Sequence, residues 1–382
     1  MLFVSLCVAA VLAEPKDLSA ELEVIRRDHD VSSMVCAAYR DGELLGSGAA
    51  GSYSYEEVTP VTTQSKYHIG SCTKAMTAVL VGMMVDEGAL VWDTPIATAL
   101  DGLVDEPNKH YYKVTIRDLL GHRAGIDANR NQTLMRLPGM LSLAAEPISM
   151  REQRRKIAEL ILSTEPQIPG GDNGEYAYSN HGYILAGVIL EQHYDKPWED
   201  LIHERIFEPL GMESAGFGPP GESGKMTEPV GHIKRDGWQP MKIIDGQRLP
   251  DNPASFGPAG TVHANIIDWG KFVDDYAQGL DGKGELLNTE SYEAIISDND
   301  GDSYALGWGV AQRPWADGLV LNHSGSNTYW FCVTWTAPEK DLVMVCASNV
   351  PPNPGSTACD AAIGMMVGRF AEKLETTPPA GE

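Results

Sequence analysis

The sequence predicts an α/β (α+β) fold. Strands from both ends of the chain should form one antiparallel sheet flanked by helices, with a mostly helical region inserted between them. Three observations carry this reading. Hairpin signals lie near each terminus. Long helical runs fill the middle. No internal repeat or low-complexity run divides the chain. At 382 residues the chain can bury a large core. The sheet part is expected at about 14–100 and 300–375, and the helical part at about 101–299.

The elements follow in order. Residues 1–13, MLFVSLCVAAVLA, are apolar and uncharged. Val11 and Ala13 are small enough for cleavage before Glu14, so the stretch reads as a signal peptide, although no basic residue leads it. It is too short to span a bilayer. The expectation is a secreted or periplasmic protein. "VCAAYRDGELLGSGAAGS" reads as two strands joined at Asp41-Gly42, a strong hairpin signal. In "HIGSCTKAMTAVLVGMMVDEGAL" only Thr77 interrupts the apolar run from Ala75 to Val85, so this helix should be buried on all sides. "SMREQRRKIAELILS", "GYILAGVILEQHY" and "ANIIDWGKFVDDYAQGL" have helical periodicity, with Pro- and Gly-rich connections between them. "WFCVTWTAPEKDLVMVCASN" reads as a second hairpin turning near Glu339. That turn would pair Trp335 with Val343, Val333 with Val345 and Phe331 with Ala347, and set Cys332 opposite Cys346. The tail at 376–382 should be disordered.

Composition narrows the partners. With 53 acidic and 29 basic side chains the formal charge is −24. Nucleic acids and anionic membranes need basic surfaces, so neither is an expected partner. No later stretch is apolar enough for stable membrane insertion. Removing residues 1–13 leaves five of the six cysteines, too few for a disulfide scaffold at this size. No C-x-x-C or H-E-x-x-H spacing suggests a metal, and no cofactor is expected. Asn131-Gln132-Thr133 and Asn322-His323-Ser324 match the glycosylation acceptor pattern.

Three short motifs carry candidate chemistry. Ser71 and Lys74 stand one helical turn apart at the mouth of the apolar helix. Burial lowers a lysine pKa, and a neutral lysine can take a proton from an adjacent hydroxyl. The plain structural alternative is an N-cap serine beside a snorkelling lysine. Tyr178 and Asn180 flank Ser179 before another apolar helix. The tyrosine could relay a proton if a cation lowered its pKa. His323-Ser324-Gly325-Ser326 ends an apolar strand, where glycine lets a ligand approach the backbone. Taken singly, His323 reads as a histidine bonded to its neighbours at a strand end.

Together these motifs resemble the serine penicillin-recognising enzymes. Ser71-Cys72-Thr73-Lys74, Tyr178-Ser179-Asn180 and His323-Ser324-Gly325 stand in that family's order. The Tyr-x-Asn form resembles the branch of class C β-lactamases, D-Ala-D-Ala carboxypeptidases, D-aminopeptidases and esterases. "GALVWDTPI" and "TIRDLLGHRAGI" resemble its linking segments, as does "PAGTVHANIIDWGKF", with Thr261 where the family has a second glycine. The resemblance covers about Leu18 to Phe370 and implies a β-lactamase/transpeptidase-like fold.

It also implies roles. Ser71 would be acylated, Lys74 would hold it and share its proton, and Tyr178 would carry that proton to the leaving group. Asn180 would orient Lys74 and substrate. The backbone N–H groups of Ser71 and Ser326 would bind the oxyanion. His323, Ser324, Gly325 and Ser326 would line the substrate. His323 stands where class C β-lactamases carry lysine, and histidine is mostly neutral at pH 7. That favours a D-peptidase or esterase acting on a small-molecule or peptide substrate over a penicillin-binding protein or weak β-lactamase. A non-catalytic scaffold is the reading from a different class. Cys72 reads as a core residue of the helix. The segments Asn129 to Ile148 and Gly216 to Leu249 are expected to shape the substrate cleft.

Overall fold

Strands from the two ends of the chain meet in one seven-stranded sheet. The computed structural model describes residues 14–144, 147–171, 174–297 and 304–372, so the expected signal segment and tail lie outside the described residues. The strands are β1 (Lys16–Asp17), β2 (Ser33–Arg40), β3 (Glu43–Gly51), β4 (Lys66–His68), β5 (Gly216–Phe217), β6 (His232–Lys234), β7 (Trp238–Pro240), β8 (Val262–Asn265), β9 (Gly309–Arg313), β10 (Gly318–Gly325), β11 (Phe331–Ala337) and β12 (Leu342–Ser348). The large sheet has the order β1-β3-β2-β12-β11-β10-β9. Its N- and C-terminal strands join at β2 and β12, where Cys36 faces Cys346.

The sheet is mixed, which corrects the expectation of a wholly antiparallel one. β1 runs parallel to β3, with Lys16 beside Gly46. It leads straight into the Ser19–Asp28 helix, so no hairpin fixes its direction. The first hairpin forms as read. Asp41 and Gly42 both take positive φ, at 49° and 80°, as a tight turn matched to strand twist requires.

The last hairpin is shifted by one residue from the expected register. Trp335 pairs with Met344, Val333 with Cys346 and Cys332 with Ala347. The loop is Pro338 to Asp341, closed by Asp341 at φ 50°. A one-residue slip normally exposes an apolar face. Here β12 is buried throughout. Val343, Val345 and Ala347 enter one core, and Leu342, Met344 and Cys346 the other, so patterning could not choose between registers. Cys36, Cys72, Cys332, Cys346 and Cys359 are all free thiols.

Helices cover both faces. Ser19–Asp28 and Pro352–Phe370 bury Leu22, Cys359 and Met366 against Met34, Cys36 and Met344. On the other face Ile266–Leu280 packs against β2 and β12, and Thr73–Asp86 lies in the same core, which takes in Val35, Ala37 and Val345. Thr73–Asp86 is buried at every residue from Thr73 to Met84, as its composition predicted. The expected helices of the middle region form as Met150–Leu162, Asn180–Tyr194 and Ile266–Leu280. Two small sheets, β4-β8-β5 and β6-β7, were not legible in the sequence. The first delivers the chain from β4 into the turn that carries Ser71. Among the described residues no helix is long and apolar enough to cross a membrane.

Candidate active site

Ser71 lies in a single 3-10 turn, Gly70–Cys72, that feeds the Thr73–Asp86 helix. The turn is pressed against the end of β10. Gly70 has φ 49°, and a Cβ there would stand 2.4 Å from Ser326 N. A Cβ on Gly325 would stand 2.0 Å from Ile69 O. Only glycine permits that approach from both sides. The first and third motifs thus meet through backbone contact.

The Asn180–Tyr194 helix brings in the second motif. Ser179 caps it, accepting from Gly182 N at 3.2 Å. Tyr178, just before the cap, donates to Ser71 Oγ at 2.6 Å. Asn180, in the first turn, accepts from Lys74 Nζ at 2.7 Å. Lys74 is fully buried and also reaches Ser71 Oγ at 3.1 Å and Ala259 O at 2.6 Å. Ala259 sits in the short Gly257–Gly260 helix, inside the "PAGT" segment. Thr261 at its end has φ −124°, so the missing second glycine costs no backbone strain.

Electrostatics separates the two proton carriers. Burial pushes Lys74 down to about 7, and the neighbouring Cys72 sulfur offsets only a small part of that. A neutral amine keeps two N–H groups, and two carbonyl oxygens accept them. The lone pair is left facing Ser71 Oγ. The phenol of Tyr178 moves the other way. Burial raises it above the ordinary range, and its bond to Ser71 offsets only part of that. The residue keeps 41% of its surface exposed, so the effect is weaker than for the wholly buried Tyr183. The condition set for a proton relay, a cation that lowers the Tyr178 pKa, is therefore not met. Lys74 lies 4.8 Å from its ring, yet desolvation leads the shift and raises it.

Two further residues brace the site: His122 holds the chain around Tyr178, and Tyr304 meets His323. His122 has φ 62° in the "TIRDLLGHRAGI" stretch. Its backbone O accepts from Ala177 N at 2.8 Å, and its Nδ1 accepts from Ser179 N at 3.1 Å. It therefore clamps the chain on either side of Tyr178, with its ring 4.5 Å from the phenol ring. Burial, then repulsion from Lys74, holds it neutral, well below the usual histidine range. Tyr304 is the second. Its hydroxyl meets His323 Nε2 at 2.9 Å.

His323 is buried, and its Nδ1 lies 2.7 Å from Ser324 O. A carbonyl only accepts, so Nδ1 carries the proton and Nε2 accepts from Tyr304. Both ring nitrogens are engaged. Ser324 is exposed at the strand end, Gly325 is buried against Ile69, and Ser326 is half-buried. Cys72 is a buried neighbour of Cys332, with the sulfurs 3.6 Å apart. Among the described residues no cluster could hold a metal ion.

The two segments expected to shape the cleft line two cavities, neither of which is lined by Ser71, Lys74, Tyr178 or His323. One of about 540 Å³ is lined by Met241, Arg248, Pro250, Asn327 and Thr328, and so begins one residue past Ser326. The 247–253 stretch walls it from a second, of about 490 Å³, lined by Leu143, Met150, Phe217 and Leu249.

The chain is 25% identical over 337 residues to penicillin-binding protein 4 of Amycolatopsis lactamdurans, covering 86% of this chain and 83% of that one. It is 22% identical over 362 residues to the D-aminopeptidase of Brucella canis, covering 91% of this chain and 61% of that protein. In three dimensions it resembles a D-stereospecific amidohydrolase from Streptomyces, with TM-score 0.67, 20% identity, and 89% and 96% of the two chains covered. Residues 14–364 match the family described as Beta-lactamase. With the match spanning nearly the whole described fold, the chain belongs to the beta-lactamase family of serine hydrolases.

Proposed function

We propose that the chain hydrolyses a D-amino-acid amide or peptide, or an ester, through an acyl-enzyme on Ser71. The observation that carries this reading is the contact set of Lys74: a buried amine between two carbonyl acceptors, facing the Ser71 hydroxyl. Neutral Lys74 takes the Ser71 proton as Oγ bonds to the substrate carbonyl carbon. The oxyanion turns to the N–H groups of Ser71 and Ser326. Collapse breaks the bond to the leaving group. Tyr178, kept protonated by burial, gives that group its proton and is recharged from Lys74. Water then cleaves the ester at Ser71 by the reverse route.

The bonding of His323 supports a leaving group without a carboxylate, because neither ring nitrogen is free to bind one. A substrate screen tests the reading. It compares p-nitrophenyl esters, D-amino-acid anilides, D-Ala-D-Ala peptides and nitrocefin. The expected order places esters or D-anilides first. A D-Ala-D-Ala peptide in first place would overturn the carboxylate clause, and nitrocefin in first place would make the chain a β-lactamase. No turnover together with no fluorophosphonate labelling would favour a scaffold. We also propose export, supported by the apolar stretch 1–13. Amino-terminal sequencing of mature protein should begin at Glu14, and retention of Met1 would refute it.

A further inference from the structure

Behind the nucleophile lies a second buried network, built from residues far apart in the sequence. His68 ends β4 and is fully buried. Its Nδ1 accepts from Gly70 N at 3.0 Å. A nitrogen that accepts carries no proton, so the proton is on Nε2. That nitrogen lies 3.0 and 3.1 Å from the two oxygens of Asp251. The carboxylate is buried too, and it takes two more donors. Asn327 Nδ2 reaches Oδ1 at 2.8 Å, and Asn252 N reaches it at 2.7 Å.

We propose that Asp251 is a positioning residue for acylation, fixing the spacing between Ser71 and the Ser326 N–H through His68 and Asn327. This rests on the function proposed above. Gly70 precedes the nucleophile and Asn327 follows Ser326, so one carboxylate ties both sides of the oxyanion site. The two peptide units have no slack, since Ser326 N lies 2.4 Å from where a Cβ on Gly70 would be. A shift of either one moves the donor off the developing charge. Only a group that accepts throughout satisfies three converging donors, because a carboxamide must turn an N–H toward one of them. Asp251 is also part of the wall of the cavity that begins past Ser326. The network therefore joins the cavity-lining 247–253 stretch to the nucleophile turn.

Asp251→Asn keeps the side-chain volume and removes one acceptor. It should lower kcat by about ten- to a hundredfold, the scale of an ångström-sized misplacement. KM should stay within about threefold, since the loss falls on the transition state. An aryl boronic acid, which forms a tetrahedral adduct with serine, should lose affinity by the same factor as kcat/KM. Asn327→Ala should show the same signature in smaller size. If both folded variants keep wild-type kcat, or lose only KM, Asp251 has no positioning role. If Asp251→Asn does not fold, Asn327→Ala decides by the same criteria.

Failure of the proposed function is distinguishable. Wild-type protein would then turn over none of the substrates. Amide hydrogen exchange still tests the tie, because Asp251→Asn should speed exchange in peptides holding Gly70 and Asn327 and leave the Asn180–Tyr194 helix unchanged. Unaltered exchange at both places would overturn it.

Discussion

At the residue scale the account turns on one amine. Lys74 must be neutral to accept the Ser71 proton, and burial sets its pKa at about 7. The sign follows directly. Below that pH the amine is protonated and acylation falls, by about tenfold per pH unit. Above it acylation is flat until another group titrates. A profile of kcat/KM against pH on a neutral ester checks this, and a rate that rises as pH falls through 7 would contradict it. Lys74→Ala and Tyr178→Phe should each cost at least ~10² in acylation. The double variant should lose far less than the product, because both serve one proton path. His323→Lys would put a cation beside Tyr304 and should raise penicillin acylation relative to esters. An unchanged ratio would place substrate choice in the loops. Ser71, Lys74, Tyr178, Asn180 and His323 were legible because their motifs are short and local. Tyr304, His68 and Asp251 were not, since each gains meaning only from contacts across the fold, and His122 was noticed only within a linking segment, its hold on the Tyr178 chain unseen.

At the element scale the site depends on how closely the Gly70–Cys72 turn meets β10. Gly325→Ala would drive its Cβ into Ile69 O. It should destabilise the fold by more than ~2 kcal/mol and reduce acylation in what remains folded, read by urea denaturation and active-site titration. A variant of wild-type stability and rate would mean that the two elements can separate freely. The first hairpin was readable from Asp41-Gly42 and four helices from their apolar runs or periods, whereas Ser19–Asp28 and Pro352–Phe370, which cover the other sheet face, were not read. The last hairpin was misread by one residue for a specific reason. Its strand β12 is apolar on both faces, so the alternation that normally fixes register was absent.

At the scale of the whole molecule the chain joins its two ends in one sheet and hangs the helical region beside it. Ser71 and His323 come from the sheet side, Tyr178 and Asn180 from the helical side. The helical side has its own polar anchor. Arg154, wholly buried, bonds Glu191 and Glu199 with side-chain contacts of 2.5 to 3.1 Å. Arg154→Ala would leave two carboxylates buried without their cation and should cost about 3–5 kcal/mol of stability. Urea denaturation measures it, and a loss below ~1 kcal/mol would mean that water reaches the pair. The placement of the helical region between the two strand groups was legible from texture, whereas the Arg154 anchor was hidden in an amphipathic helix. The most direct test of the central claim is mass spectrometry of the quenched enzyme during turnover of a slow ester. The account predicts one acyl group, on the peptide containing Ser71, and none in a folded Ser71→Ala variant that has also lost turnover. An acyl group on another residue, or full turnover by Ser71→Ala, would contradict it.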